Sequence, residues 1–351
     1  MSFTKSNFFV DAIFALSRAQ RAAFAAVLGL LFCSTLNAGA PTEVMPFASL
    51  KLAGLMTDVR LVEFSGMAPA RRKDRFWAIN DGGQEPILWQ IDAKGKIKTQ
   101  LRIEGVENID FEDLASFSVK PPNSRRLHYV VVPDIGDNVA MRNDHKIYIV
   151  ADVPGRKVAA PAWTIHFRYP DGAHDAESIA VDAKEGYVYI VIKRVLPPIL
   201  YRVPLRPGFR EGGAWPNPQT TQIQIAEHVA TLEGLPESDQ NSADARNAVR
   251  YASQPTGAVL GCDGNELLLL TYASVYRYQK SSSQIWATAL VGQMPEVMAL
   301  PLMFQAEAIT LSRDCDTLYV GGEKVPGPLW RYSRVAPKPA LKKATPSDAA
   351  K

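Results

Sequence analysis

A short pattern of strands recurs five times along the sequence, and this recurrence restricts the possible folds more than any other feature. Each copy opens on a small or acidic residue, followed by a short apolar strand, a polar turn, a second β-rich strand and a third strand with an aromatic residue. The copies open at Ser65, Glu112, Glu177, Thr256 and Glu307. In four copies a residue 16 positions later ends the second strand, at Asp81, Lys193, Tyr272 and Glu323. In the copy that opens at Glu112 the interval to Asp134 is 22 residues, because a polar insertion occupies 121–126.

A fourth strand completes most copies of the pattern. Fourth strands are predicted at 96–103, 163–169, 221–228 and 284–291, and the segment 48–55 is available to complete the fifth copy. Repeats of four strands are typical of β-propellers, and closing the ring removes exposed strand edges. The sequence therefore predicts an all-β fold, a β-propeller of four-stranded blades closed by an N-terminal strand. Five blades are predicted, or six if the polar stretch 233–254, interpreted as a loop, contains another.

The two ends of the chain differ in composition from the repeats. Arg18 and Arg21 precede an apolar run, and small residues follow at 38–40, which is the organisation of an export signal. The apolar run is shorter than the ~20 residues of a membrane-spanning helix. We therefore expect a signal peptide over 1–40, a propeller domain over 41–335 and a disordered basic tail over 336–351. The mature protein is expected to be periplasmic or secreted, with no membrane span.

Charge and motifs exclude several classes of function. The chain has 39 basic and 36 acidic residues, without the concentrated basic face of a nucleic-acid-binding protein. It has no phosphate-binding loop, paired CxxC zinc motif or dinucleotide-binding fingerprint. The expected partner is a small-molecule ligand, or an envelope protein or glycan, bound by a monomer. Cys262 and Cys315 fall in turns of adjacent blades, where a disulfide would be compatible with an oxidising compartment.

The register of the repeats is expected to gather acidic residues around one mouth of the channel. In an antiparallel blade the start of the innermost strand lies beside the end of the second strand, near the common axis. The residues expected there are Glu112, Glu177 and Glu307, with Asp81, Asp134 and Glu323 beside them and Lys193 as the one clear cation. Their repulsion can be relieved by raised pKa values, by pairing with Lys193 or Arg194, or by a bound cation.

Three interpretations of these acids follow. In the first, Glu112, Glu177 and Glu307 are ligands of a divalent cation such as Ca²⁺, with Asp134 and Asp137 in support, because hard oxygen ligands suit that ion. In the second, the acids accept hydrogen bonds from backbone N–H groups of the next blade and lock the blades together. In the third, they form a metal-free catalytic dyad. The residues assigned to catalysis, if any occurs, are His174 as a base, Asp175 beside it, and Lys193 as a group that faces an anion.

Several short strings resemble a known group of proteins. They are Ser65-Gly66, FEDLA at 111–115, DIGDN at 134–138, YPDGAHDAE at 169–177, TGA at 256–258 and QAEAI at 305–309. Together, over about 62–330, they resemble exported bacterial β-propeller proteins of unassigned function, although Phe111 stands where that group usually has Trp. The resemblance implies the fold and export, and it implies no activity.

A more distant similarity concerns the acidic channel. It is similar in kind to that of calcium-dependent propeller hydrolases, such as the gluconolactonase-like and phytase-like groups, which implies metal-dependent hydrolysis of an ester, lactone or phosphoester. Two alternatives stay open, a non-catalytic propeller that binds an envelope component and a glycosidase with paired channel carboxylates.

Overall fold

The structure is a computed structural model that describes residues 45–121, 123–207, 222–236 and 252–335. The predicted export signal, the tail over 336–351 and most of the predicted loop 233–254 lie outside the described residues. Regular structure in the described part is almost entirely β-strand, arranged in five separate sheets.

The strands follow the chain blade by blade. The N-terminal strand is β1 (Phe47–Met56). Blade 1 contains β2 (Phe64–Pro69), β3 (Arg75–Asn80), β4 (Ile87–Asp92) and β5 (Ile97–Ile103). Blade 2 contains β6 (Ala115–Val119), β7 (Leu127–Asp134), β8 (His145–Ala151) and β10 (Trp163–Arg168), whereas the short β9 (Val158–Ala159), between β8 and β10 in the chain, belongs to the sheet of blade 1. Blade 3 contains β11 (Ala176–Asp182), β12 (Tyr187–Ile192), β13 (Ile199–Pro204) and β15 (Glu227–Thr231), whereas the short β14 (Gln224–Ile225) just before β15 belongs to the sheet of blade 2. Blade 4 contains β16 (Pro255–Leu260), β17 (Glu266–Thr271), β18 (Ser274–Gln279) and β19 (Glu296–Ala299), and blade 5 begins with β20 (Ala306–Leu311), β21 (Thr317–Gly322) and β22 (Gly327–Arg334).

Each sheet is an antiparallel blade whose first strand faces the centre of the ring. Neighbouring inner strands contact one another in the order β2, β6, β11, β16 and β20, and β20 contacts β2 again. The ring is therefore closed by five blades, and the predicted five-bladed propeller is confirmed. The short strands β9 and β14 extend the outer edges of blades 1 and 2, pairing in parallel with β5 and β10.

The N-terminal strand completes the last blade, as predicted. β1 pairs antiparallel with β22 along its whole length, so blade 5 combines the first and last described strands of the chain. Phe47 and Met56 at the two ends of β1 are buried, which anchors this strand against the core.

Two of the four predicted fourth strands are wrong in position. In blade 3 the fourth strand is β15, and the segment 224–225 inside the prediction pairs with blade 2 instead. In blade 4 the fourth strand is β19, whereas the predicted 284–291 contains a one-turn helix, α1 (Trp286–Ala289). The buried residues Trp286, Ala289 and Leu290 have helical spacing, which places them together against the core between blades 3 and 4.

The core consists of five apolar clusters, one between each pair of adjacent blades. The middle strands of the blades are apolar on both faces, as in β17, where Leu267–Leu270 are all buried. Most of the third-strand aromatic residues, including Trp89 and Tyr201, belong to these clusters. Because each blade packs against two neighbours, the positions of the inner strands around the axis are determined by side chains on both faces.

Two further features concern the molecule's environment. A disulfide joins Cys262 and Cys315, which links the first turns of blades 4 and 5. No helix in the described ranges is long and apolar enough to cross a membrane.

Candidate functional site

A β-bulge at the start of each inner strand determines which side chains reach the axis. In four blades one residue is left out of the pairing between the first and second strands: Ser65, Glu177, Thr256 and Glu307. In blade 2 three residues, beginning with Glu112, face two on β7 between the Phe111–Asp134 bridge and the Ala115–Val131 pair. A bulge changes the direction of a side chain at a strand end. The opening residues of the five repeats are therefore equivalent in the structure as well as in the sequence.

The ends of the second strands complete one mouth of the channel, which we call the acid mouth. Its members come from the bulges, from the residues that end or follow the second strands, and from two adjacent loops. They are Glu112, Glu177 and Glu307, then Asp81, Lys193, Tyr272 and Glu323, and finally Asp110 and Asp175.

Two groups of carboxylates in the acid mouth have the spacing of cation ligands. Asp81, Asp110 and Glu112 each offer one oxygen within 4.8 Å of the others, and so do Glu112, Asp175 and Glu177. Glu112 belongs to both groups, and it is 2% exposed, compared with 3% for Asp175 and 6% for Glu177. Oxygen ligands at this spacing match the requirements of a hard divalent cation.

Lys193 is a cation built into the acid mouth. Its Nζ forms an ion pair with Glu177 and donates a hydrogen bond to the Tyr272 hydroxyl at 3.0 Å. Burial lowers the pKa of Lys193, but Glu177, Tyr272, Glu307 and Glu112 raise it, and the pKa stands well above its ordinary value. Lys193 therefore stays charged and offsets part of the surrounding negative charge.

Glu307 has less compensation than Glu177. Burial raises the pKa of Glu307 well above its usual range, Glu323 and Glu177 raise it further, and Lys193 opposes them. Its Oε1 accepts hydrogen bonds from Gln305 at 3.2 Å and from the Tyr272 hydroxyl at 3.4 Å. The neighbouring Glu323 bonds Lys324 through Oε1, while its buried Oε2 has no hydrogen-bond partner among the described residues. This side of the mouth would gain most from an additional positive charge.

Two glycines bring backbone close to the carboxylates. A Cβ at Gly136 would collide with Glu112 Oε1 and with the carboxyl group of Asp110, and a Cβ at Gly82 would collide with Asp110 Oδ1. Only glycine leaves room for the carboxylates at these two positions. Each glycine lies two residues after the end of a second strand. From the sequence alone, both positions indicate a turn and not a contact with carboxylates.

Asp134 and Asp137, predicted as supporting ligands, organise the loop after β7. Asp134 Oδ1 accepts hydrogen bonds from Arg142 Nη1 at 2.8 Å and from the backbone N–H of Asp110 at 3.1 Å. The two carboxylate oxygens of Asp137 accept the backbone N–H groups of Met141 and Arg142 at 3.0 and 2.7 Å. Neither residue belongs to the two carboxylate groups with ligand spacing. Their role as ligands stays a prediction.

The predicted pair His174 and Asp175 is divided between two environments. His174 Nε2 lies 3.0 Å from Asp171 Oδ1, and its ring packs at 5.0 Å from that of Tyr169. Asp175 lies in the acid mouth, where it accepts hydrogen bonds from Arg194 Nε at 2.7 Å and from the Asp137 N–H at 2.8 Å. The structure does not bring His174 into either carboxylate group, and its role as a base stays a prediction.

The inter-blade lock that the sequence suggested for the glutamates is made by their neighbour Asp113. This fully buried carboxylate accepts hydrogen bonds from the N–H groups of Leu114, Ile179 and Ala258 at 2.7, 3.0 and 2.9 Å. Burial raises the pKa of Asp113, and these three donors lower it. Asp113 thus ties blades 2, 3 and 4 together at the axis, and Glu112 is directed into the mouth instead.

Two residues of the site were missed as site residues by sequence reasoning. Tyr272 ends the second strand of the fourth repeat, at the position that Lys193 occupies in the third repeat. The register of the repeats could therefore have identified Tyr272 as a residue of the site. Asp110 lies in the loop before the second inner strand, and no periodicity marks it. It reaches the site because the N–H of Asp110 bonds Asp134, which brings the loop beside Glu112.

Comparisons with known proteins show a similarity of fold and no activity. No protein-family model matches the chain, and no curated protein matches it. Among solved structures, a gluconolactonase from Xanthomonas campestris aligns at 12% identity and a TM-score of 0.34, covering 85% of this chain and 98% of that one. A glutaminyl cyclase from Myxococcus xanthus aligns at 12% identity and a TM-score of 0.42, covering 82% of this chain and 97% of that one. The expected distant similarity to a gluconolactonase is thus found as a similarity of fold, and at these scores it carries no argument about activity.

Proposed function

We propose that the acid mouth binds a divalent cation, with calcium as the first ion to test, and through it a small ligand that carries an oxyanion. The observation that carries this proposal is the convergence of Glu112, Asp175 and Glu177, three buried carboxylates within 4.8 Å, at a mouth to which all five blades contribute. Buried carboxylates at such distances repel one another, and a cation bound between them relieves that repulsion.

The acid mouth concentrates carboxylates in a small volume, which supports a bound cation. Seven carboxylates converge there: Asp81, Asp110, Glu112, Asp175, Glu177, Glu307 and Glu323. Lys193, Arg194 and Lys324 pair with Glu177, Asp175 and Glu323 and compensate part of this negative charge. Asp113 accepts backbone N–H groups of blades 3 and 4, so a carboxylate outside the two groups of ligand spacing makes an inter-blade lock.

The reaction class that fits such a site is hydrolysis of an ester, lactone or phosphoester. A bound divalent cation would supply charge stabilisation and a more acidic bound water. The side chains of this chain that would orient an anionic substrate are Lys193 and Arg194, the cations nearest to Asp175 and Glu177. Hydrolysis is proposed in addition to cation binding. It is tested by assaying chromogenic esters, lactones and phosphoesters with and without calcium.

A second candidate is a non-catalytic propeller that binds an envelope component over the same face. It is favoured by apolar side chains exposed on loops next to the acid mouth, with exposed fractions of 49% for Ile109, 73% for Val139 and 76% for Met141. Such side chains around a polar centre are typical of a surface that contacts another molecule. An acid mouth that binds calcium without any hydrolytic activity would support this candidate.

The proposed location is the periplasm or the extracellular space. The bridge between Cys262 and Cys315 supports it, because disulfides persist in oxidising compartments.

The cation proposal is tested by thermal unfolding of protein stripped on a chelating resin and then supplied with Ca²⁺ or Mg²⁺. An ion that binds only the folded state stabilises it by about 2.7 kcal/mol at a hundredfold excess over Kd. We expect a rise in Tm of several degrees with calcium. Glu112→Gln should abolish the rise because it removes the ligand shared by both groups, and Gly136→Ala should abolish it by displacing the same carboxylate.

The matched control is Asp74→Asn, which makes the same carboxylate-to-amide change at an exposed turn of blade 1. This variant should keep the full calcium response. A wild-type Tm that responds to neither ion, or a Glu112→Gln protein that responds like wild type, would exclude the proposed site.

A further inference from the structure

A second cavity opens at the opposite end of the axis, and we call it the turn cavity. It has a volume of about 550 Å³ and is lined by the ends of the inner strands and the turns that follow them in all five blades. Leu114 and Ala258, whose N–H groups donate to Asp113, line this cavity. The hydrogen-bonded layer around Asp113 therefore lies between the turn cavity and the acid mouth.

One sector of the turn cavity is strongly basic. Arg71 of blade 1, Arg126 of blade 2 and Arg313 of blade 5 all line it, together with His128. Within the described residues, none of the three arginines has a carboxylate within the 4.0 Å of an ion pair. These guanidinium groups therefore keep donors and positive charge that the described protein does not neutralise.

The contacts of the arginines hold them at the cavity without using carboxylates. Arg313 reaches from blade 5 across blade 1, where Nη1 donates to the carbonyl of Ala70 at 3.3 Å, to blade 2, where Nη2 lies 3.3 Å from His128 Nδ1. Arg126 Nη1 donates to Ser118 Oγ at 3.2 Å. Burial lowers the pKa of His128, and the charges of Arg313 and Arg71 lower it further, which agrees with a positive potential in this sector.

Asp152, Asp182 and Asp263 are the acidic residues that line the turn cavity, and Asp152 lies in the sector of the arginines. Asp152 Oδ2 accepts hydrogen bonds from the backbone N–H of Arg71 at 2.5 Å and from Trp77 Nε1 at 3.0 Å. Asp182 accepts the N–H groups of its own turn, and Asp263 does the same in blade 4. Lys184 also lines that opposite side, which leaves the excess of positive charge between blades 5, 1 and 2.

We propose that the turn cavity binds a small polyanion, a ligand with phosphate or carboxylate groups, through Arg71, Arg126 and Arg313. Planar guanidinium forks bind both kinds of group through pairs of hydrogen bonds, and such charge-assisted bonds are stronger than neutral ones. Arg126 belongs to the polar insertion 121–126, which lengthens only the second repeat. This insertion contributes no residue to the acid mouth, but it supplies one arginine of the turn cavity. The site is independent of the proposed cation site.

The test is isothermal titration calorimetry of the full chain, stripped on a chelating resin, with citrate and with inorganic pyrophosphate at low ionic strength. We expect saturable binding of one molecule per chain by at least one of the two probes, and the tighter probe identifies the preferred anionic group. Arg126→Gln and Arg313→Gln should each weaken binding at least tenfold. Arg126→Gln is the more decisive of the two, because Arg313 also holds backbone carbonyls of blade 1.

The matched control is Arg125→Gln. It removes the same charge at the neighbouring position, where the arginine side chain does not line the cavity. Its affinity should stay within twofold of wild type. No binding of either probe, or an equal loss in Arg125→Gln and Arg126→Gln, would overturn the proposal. Because the protein is free of metal throughout, either result is distinguishable from a failure of the cation site.

Discussion

At the scale of single residues, the environment of a polar side chain decides its role more than its chemical type does. Glu112 and Asp113 are consecutive acids, yet one enters a group of carboxylates and the other accepts three backbone N–H groups at the axis. Adjacent residues near a strand start point in different directions, and the bulge determines which of them faces the mouth.

His145 carries the pH dependence that belongs to this scale. It is 1% exposed and packs against the rings of Phe167 and Tyr169, and neither ring nitrogen has a hydrogen-bond partner in the described part. Burial lowers the pKa of His145 to about 4, and the charge of Arg142 contributes to the decrease. In the unfolded chain a histidine has a pKa of about 6.5, so between these values the unfolded state binds the proton more tightly.

We therefore predict that stability falls as the pH is lowered from about 7 to about 4, with a contribution from His145 of roughly 3 kcal/mol at pH 4. His145→Leu should remove this contribution, which is measured as a smaller difference in the free energy of unfolding by urea between pH 7 and pH 4.5. His228→Leu, at an exposed histidine of β15, is the control and should keep the wild-type slope. An unchanged slope in His145→Leu would contradict the assignment.

At the scale of secondary-structure elements, the positions of inner strands were predicted from the sequence more accurately than those of outer strands. Most inner and second strands, such as β11 and β20, are buried on both faces, and in four repeats they lie at one constant interval, so the apolar runs located them correctly. Outer strands such as β15 and β19 are short and half-exposed, and their pattern is weak. This difference explains why the fourth strands of blades 3 and 4 were predicted too early in the chain, at 221–228 and 284–291.

The element with the largest predicted effect is β1. Without it, β22 would expose an unpaired edge, and the burial of Phe47 and Met56 would be lost, at roughly 1.5–3 kcal/mol for each side chain. We expect a chain that starts at Thr57 to lose at least about 3 kcal/mol of unfolding free energy in urea, or to aggregate. A chain that starts at Met45 should unfold at the wild-type midpoint, and equal midpoints for both truncations would show that β1 does not close the ring.

At the scale of the whole molecule, the ring is held by its closure and by one covalent link. Blade 5 joins both ends of the described chain, and the disulfide between Cys262 and Cys315 ties it to blade 4 across a separation of 53 residues. Constraining a loop of this length in the unfolded state stabilises the folded one by up to about 4 kcal/mol.

We predict that the double substitution Cys262→Ser and Cys315→Ser lowers the unfolding free energy by roughly 2–4 kcal/mol without changing the fold. Urea unfolding followed by circular dichroism measures the loss, and wild-type protein treated with a reductant should reproduce it. A double variant as stable as oxidised wild type would show that the link is not needed.

The sequence by itself determined the class of fold and the acids at one end of the axis, and it favoured five blades, which the closed ring of inner strands decided. A constant register between two adjacent antiparallel strands is a local property, so equal intervals such as Glu177 to Lys193 and Glu307 to Glu323 were enough to place those residues together. Only the tertiary structure decided that Asp113 is the lock, that Lys193 joins Glu177 to Tyr272, and that Arg313 reaches His128. Lys193 and Tyr272 lie far apart in the chain and meet because blades 3 and 4 pack together, whereas Arg313 of blade 5 reaches His128 of blade 2 because the ring closes.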